Sequence, residues 1–326
     1  MHDGPLFFPV TPFGPDGEID IAVYAEHLEA GIAAGPGALF AACGTGEFHA
    51  LDPAEHAVLI RTAVRVAAGR LPVHAGAGGP LPTARALARS AAEAGADGLL
   101  LMPPYLVRPP RSGLVAYTRQ VAEAGGLPLI AYHRDTARLD VATAVEIARL
   151  PHVVGIKDGC GDLELLARMI AAVEEALRPS GKQFRFFNGL PTAEATAPAY
   201  RGLGVRQYSS ASFAFVPEIA LAFHRALATG DEATVRRLLS AFYLPLVELR
   251  AEVPGYAVAL VKAGVRQRGL AVGGVRPPLT DPAPEHLDRL RALTEAGLAA
   301  ALATPSATTS PAAPTSLTAP DEDADR

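Results

Sequence analysis

The residues most able to do chemistry are a lysine and a tyrosine that each close a short apolar run. Lys157 follows HVVGI, and Tyr132 ends LPLIAY. A lysine at the edge of an apolar core is costly to keep charged, which makes a neutral amine available for attack on a carbonyl. A phenol beside such an amine can carry protons to and from the carbinolamine oxygen. Taken singly, each residue has a commoner role. A strand-end lysine more often pairs with a carboxylate, here Asp158, and a core-edge tyrosine more often only satisfies its hydroxyl. Polar groups gather at similar places elsewhere: Cys43-Gly44-Thr45-Gly46-Glu47, Asn188-Gly189 and Tyr208-Ser209-Ser210. Thr45 and Ser209 could hydrogen-bond the phenol or a substrate carboxylate, with turn and capping roles as the alternative. Glu47 either meets substrate or braces its loop.

Other chemistries find no such pattern. His49 and His56 are seven apart, and no HExxH motif or His/Cys cluster at metal-ligand spacing occurs, so surface positions are expected for the histidines. Cys43 and Cys160 cannot make a disulfide framework and read as inert buried thiols in a cytoplasmic chain. There is no glycine-rich phosphate turn after the first apolar run and no Walker-type loop. The first residues, MHDGPLFFPVTPFG, lack the basic region and apolar stretch of a secretory signal. No apolar run reaches the ~18 residues of a membrane span. Net charge is −5, with 29 basic against 34 acidic residues interspersed, which argues against nucleic acid or an anionic membrane as partner.

The elements that must position these residues are legible in the alternation of the chain. Eight apolar runs read as strands: 5–10, 38–43, 71–75, 97–102, 127–132, 152–157, 184–188 and 205–210. Helical patterns follow at 20–34, 53–69, 82–94, 112–125, 140–149, 162–177, 191–201 and 216–229. Asp52-Pro53 and Asp162 open two of them, and Gly95, Gly125 and Gly202 fall at helix ends. Eight near-continuous apolar strands alternating with eight helices predict an α/β fold, a (β/α)8 TIM barrel. Residues 1–230 are then the catalytic barrel. Residues 231–303, helical at 231–250, 255–268 and 283–303, form a C-terminal α-helical extension. The Pro/Ser/Thr/Ala-rich, acidic stretch 304–326 reads as a disordered tail. In such a barrel the chemistry sits at the C-terminal ends of the strands, where Lys157, Tyr132 and the polar clusters all fall.

With these residues placed, the chain resembles the dihydrodipicolinate synthase/N-acetylneuraminate lyase superfamily over about residues 4–303. The resemblance rests on PVTPF (9–13), GTGEF (44–48), PPYL (103–106), Tyr132 and Lys157, in that order. Within the superfamily it looks most like the 5-dehydro-4-deoxyglucarate dehydratases. The supporting stretches are YHRDTA (132–137), GIKDGCGD (155–162), NGLPTAE (188–194), YSSASF (208–213), PGYAVALVKAG (254–264) and VRPPL (275–279). The resemblance implies a homotetramer with no metal and no organic cofactor. It implies the Schiff-base role for Lys157 and the proton relay for Tyr132. Gly44, Thr45 and Gly46 match the loop that binds the substrate carboxylate, and Asn188 and Ser209 are further substrate-binding candidates. Three positions depart from the superfamily's patterns. Gly44 stands where synthases and lyases commonly carry a hydroxyl, which favours the dehydratase branch. Leu106 replaces the second tyrosine of the synthases. His133 stands where the dehydratases usually carry asparagine, which leaves fine specificity open.

The implied activity is decarboxylating dehydration of a six-carbon sugar diacid in glucarate or galactarate breakdown. Two alternatives stay open on the sequence. One is a 2-keto-3-deoxy-sugar-acid aldolase that releases pyruvate. The other is a non-catalytic keto-acid-binding protein, against which the retention of both Tyr132 and Lys157 speaks.

Overall fold

The computed structural model describes residues 1–303; the tail at 304–326 lies outside the described residues. All eight expected strands are present: β1 (Leu6–Phe7), β2 (Ala38–Ala41), β3 (Val73–Ala77), β4 (Gly98–Leu101), β5 (Leu129–His133), β6 (Val153–Asp158), β7 (Arg185–Asn188) and β8 (Gln207–Ser210). They pair in parallel and in chain order, and β8 closes on β1 through Leu6↔Ser209 and Phe7↔Ser210. β1 is shorter than the apolar run 5–10 because Pro5 and Pro9 carry no N–H for a ladder on either side.

The helices alternate with the strands: α1 (Ile21–Ala33), α2 (Pro53–Ala67), α3 (Leu81–Glu93), α4 (Arg111–Gly125), α5 (Val141–Arg149), α6 (Leu163–Leu177), α7 (Ala197–Gly202) and α8 (Pro217–Thr229). Asp52 closes a full capping box with Glu55, and Asp162 caps α6 through the Leu165 N–H. Such caps contribute about 0.5–2 kcal/mol each. α7 is shorter than the expected 191–201. Pro198 restrains the residue before it and brings no N–H, so the chain reaches α7 through a 3₁₀ turn at Ala193–Ala195.

The extension comprises α9 (Glu232–Leu238), α10 (Leu244–Ala251), α11 (Tyr256–Gln267) and α12 (Pro284–Leu302). A π turn at Leu239–Tyr243 joins α9 to α10 and makes room for Pro245 one residue into α10. None of the described helices is long and apolar enough to cross a membrane.

Strand pleating divides the apolar residues into two layers. Leu6, Phe8, Phe40, Leu100, Ile130, Tyr132 and Phe187 pack inside the barrel. The larger layer lies between strands and helices and continues into the extension through Leu238, Phe242, Tyr243 and Leu260. The expectation of surface histidines fails at four positions, since His27, His56, His74 and His133 are buried. His74 stacks on Phe40 inside the barrel at 4.7 Å, His27 accepts the Val10 N–H at 3.3 Å, and His56 bonds the Gly76 carbonyl. These stacking and hydrogen-bond partners lie far away in the sequence, so composition alone does not reveal them.

Candidate active site

In the β5–β6 ladder Tyr132 is opposite Lys157, and in β6–β7 Lys157 is opposite Phe187. Level residues of a parallel ladder share a face, so lysine and phenol point together into the barrel. Lys157 keeps 6% of its surface exposed. Its Nζ lies 4.1 Å from the ring centroid of Tyr132 and 4.7 Å from that of Phe8. Both rings line a cavity of ≈ 260 Å³ with Gly44, Thr45, Arg134, Gly189 and Ser209. Ala257 and Val258 of α11 also line it, so the extension supplies part of the wall.

Two glycines make space for the pair. A Cβ on Gly189 would sit 2.6 Å from Lys157 Cγ, and one on Gly159 would sit 2.8 Å from Tyr132 Cε2. The Tyr132 hydroxyl donates to the Gly189 carbonyl at 2.8 Å and accepts from Arg134 Nη1 at 3.1 Å. Burial pushes the phenol's pKa up, but the charges of Lys157 and Arg134 and their hydrogen bonds outweigh it and hold the phenol below its ordinary value. A phenol so placed is a better proton donor than free tyrosine and stays within reach of the amine's reaction centre.

The same pleat separates the remaining candidates. Ser209 points inward, level with Leu6 of β1. Asn188 is level with Asp158 and Tyr208 and points outward. Its amide donates to the Ala193 carbonyl and Thr196 Oγ1 and accepts from the Leu190 N–H. Asn188 therefore braces the loop after β7 and does not line the cavity. His133 is likewise outward, behind the wall, away from any substrate in the cavity. Gly44 and Thr45 line the cavity, while Gly46 is buried beneath them with its carbonyl accepting from Thr11 Oγ1 at 2.7 Å. Of the two roles open to Thr45 and Ser209, bonding to the phenol is not seen: its partners are Gly189 and Arg134. Ser209 Oγ instead donates to the Asn188 carbonyl at 3.3 Å.

Cys43 is buried as expected, whereas Cys160 is only half-buried, and neither thiol is activated. Burial pushes Cys43 up to about 12 against the opposing charge of Lys157, and burial with Asp158 raises Cys160 to about 11. Cys160, His133 and Asp158 lie within 4.8 Å of one another on the outward side of β5 and β6. The Asp158 carboxylate already accepts from the Tyr200 hydroxyl at 2.5 Å and from two backbone N–H groups.

The Dihydrodipicolinate synthetase family model matches residues 1–297. The chain belongs to this family. Among curated relatives, a "Probable 5-dehydro-4-deoxyglucarate dehydratase 1" from Streptomyces coelicolor is 58% identical, over 91% of this chain and 93% of the relative. A protein named "Probable 5-dehydro-4-deoxyglucarate dehydratase" from Azotobacter vinelandii is 45% identical, over 90% and 95%. Among solved structures, dihydrodipicolinate synthase from Bacillus clausii superposes with a TM-score of 0.82 at 28% identity, covering 90% of this chain and 97% of its own. The pyruvate complex of the Acinetobacter baumannii synthase gives 0.80 at 28% identity, over 91% and 99%.

This member of the dihydrodipicolinate synthetase family has three lysines. Lys182 donates to the Ala148 and Leu150 carbonyls, and Lys262 is fully buried against Glu47. Lys157 alone meets the phenol. Reading the sequence by motif missed Arg134, although it stands two residues past Tyr132 just beyond a strand end. It also missed Glu194, which is buried and accepts from Ser210 Oγ at 2.5 Å and Ser212 Oγ at 3.2 Å. Burial raises the Glu194 pKa against those two hydrogen bonds. That contact joins the NGLPTAE and YSSASF stretches behind the cavity wall.

Proposed function

We propose that the protein is a lysine Schiff-base lyase converting 5-dehydro-4-deoxy-D-glucarate to 2,5-dioxopentanoate, water and CO2. The observation that carries the reading is the Lys157–Tyr132 pair at the catalytic end of the barrel, in a chain whose curated relatives bear the dehydratase name. Lys157 attacks the ketone beside one carboxylate, and loss of water from the carbinolamine gives an iminium. The iminium acidifies the adjacent CH2, whose proton leaves to form an enamine. The enamine expels the β-hydroxyl as water, leaving an iminium conjugated with a carbon–carbon double bond. That system accepts the electron pair released when the distal carboxylate departs as CO2. Reprotonation on carbon and hydrolysis free the product and the lysine, with one proton consumed overall. One covalent intermediate thus serves two bond cleavages.

Tyr132 transfers protons at the carbinolamine oxygen. Thr45 and the Gly44–Gly46 backbone hold the carboxylate beside the ketone, and Ser209 faces the same space. The reading needs no metal or organic cofactor. The enzyme is a cytoplasmic homotetramer by family resemblance. The exposed apolar tip Tyr105-Leu106-Val107 of the loop after β4 supports a subunit contact there. Incubation with 5-dehydro-4-deoxyglucarate and mass spectrometry of the products tests the reading. Equimolar CO2 and 2,5-dioxopentanoate are expected, and pyruvate as main product would transfer the assignment to an aldolase.

A further inference from the structure

Arg134 borders the space above the lysine–phenol pair, Arg250 lines an adjoining crevice, and neither guanidinium has a buried carboxylate partner. Arg134 lines the cavity and pairs through Nε with Asp135 at 3.1 Å. The Asp135 side chain is 69% exposed, so water screens most of that attraction. Arg250, on α10 of the extension, is half-buried and donates to the Thr192 hydroxyl. It lines a crevice that shares Pro191, Ala211 and Ala257 with the cavity. No carboxylate pairs with Arg250 among the described residues. Burial, and then the charge of Arg134, pulls the Arg250 guanidinium below its ordinary pKa. The Glu194 carboxyl shares that crevice, but burial favours its neutral form, so an anion entering where crevice and cavity join would offset the cost of holding the two like charges near each other.

We propose that Arg134 and Arg250 form the subsite for a second carboxylate, the one at the far end of a 2-keto diacid from the carbon that Lys157 attacks. The proposal rests on Lys157 being the nucleophile of the proposed function and adds the residues that select a diacid. The ketone-side carboxylate faces Gly44 and Thr45, on β2's side of the cavity. Arg134 borders its β5 side, and Arg250 lies in the crevice that adjoins it on the extension side. A planar guanidinium fork fits a carboxylate in a bidentate manner. A monoacid would bring no counter-ion to either guanidinium, and sites left unpaired in this way reject analogues strongly. The subsite also gives α10 a role in specificity, since the barrel alone contributes only one of the two charges.

The test uses ligands that cannot undergo the dehydration. 2-Oxoadipate and 2-oxohexanoate share chain length, ketone and proximal carboxylate, and only the first has the distal carboxylate. Borohydride reduction at graded concentrations gives the half-saturating concentration of each at Lys157. The wild type is expected to favour 2-oxoadipate by at least about tenfold. Arg250→Gln should weaken 2-oxoadipate trapping about tenfold more than 2-oxohexanoate trapping, and Arg250→Lys should retain part of the preference. Arg134→Gln should lower trapping of both, through Tyr132, and narrow the ratio as well. Equal trapping by the wild type, or a ratio that survives both glutamine substitutions, would overturn the subsite. Failure of the dehydratase reading shows elsewhere, as pyruvate formed by the wild type from 5-dehydro-4-deoxyglucarate. Absence of any adduct at Lys157 would remove the nucleophile and the subsite together.

Discussion

Glu47 and Lys262 meet at 2.7 Å with both side chains fully buried, 215 positions apart in the chain. Glu47 ends the Gly44–Gly46 loop in a left-handed conformation, φ 58°, and its second oxygen accepts the Arg276 N–H at 2.8 Å. Lys262 also lies over the Phe13 ring at 3.9 Å. Burial pulls the Lys262 ammonium down, and the Glu47 charge opposes it. The extension thus grips the loop proposed to hold substrate.

Breaking this pair should be far costlier than replacing it. Lys262→Met leaves a carboxylate buried without its partner, and a loss of about 3–5 kcal/mol is expected in urea denaturation. Glu47→Gln combined with Lys262→Met should recover most of that loss. A single substitution costing under about 1 kcal/mol would show that the pair contributes little.

Gly189→Ala should keep the fold and lose activity. Its Cβ would press on Lys157 Cγ at 2.6 Å and on the Asp158 carbonyl at 2.9 Å, displacing the amine from the phenol. Gly202→Ala, at the end of α7, is the comparison, because nothing lies within 4 Å of its Cβ position and it does not line the cavity. Circular dichroism should be native for both variants. Turnover by Gly189→Ala at the wild-type rate would contradict the tight seat described for Lys157.

Stability should fall as pH drops from about 6.5 toward 4. Burial lowers both His27 and His74 from 6.5 to about 4. In that window the unfolded chain binds protons that the folded chain refuses, so stability is present above 6.5 and lost on acidification. Each ring contributes on the order of 3 kcal/mol across the window. Melting temperature against pH should show the slope, and His74→Gln should flatten it whatever its own stability. An unchanged slope would mean that His74 is protonated in the fold.

The fold was legible because each strand is a bounded apolar run and the helices carry punctuation such as Asp52-Pro53, Asp162 and Gly125. Lys157 and Tyr132 were legible because a polar residue ending an apolar run marks a strand's C-terminal end. Asn188 was misjudged although the information was present. If Phe187 points into the barrel with Lys157, strand alternation sends Asn188 outward. Glu47–Lys262 and the approach of Arg250 to the mouth were not legible. They join residues far apart in sequence, and only the closed barrel and the docked extension bring them together. The buried histidines were missed because hydrogen-bond partners such as the Gly76 carbonyl have no local sequence signal.

Tyr132→Phe should preserve packing and slow turnover by roughly 10²–10⁴-fold, the range for a lost general acid–base group. Steady-state assay on the diacid checks this. Near-normal turnover would assign the proton transfers to water or another group.

The most direct test of the central claim is reductive trapping with pyruvate and borohydride, read by peptide mass spectrometry. One adduct per chain is expected, on the peptide containing Lys157, and none in Lys157→Arg, whose guanidinium stays protonated. With only Lys182 and Lys262 as other lysines, the assignment is unambiguous. An adduct on either of those, or one that persists in Lys157→Arg, would contradict the Schiff-base account.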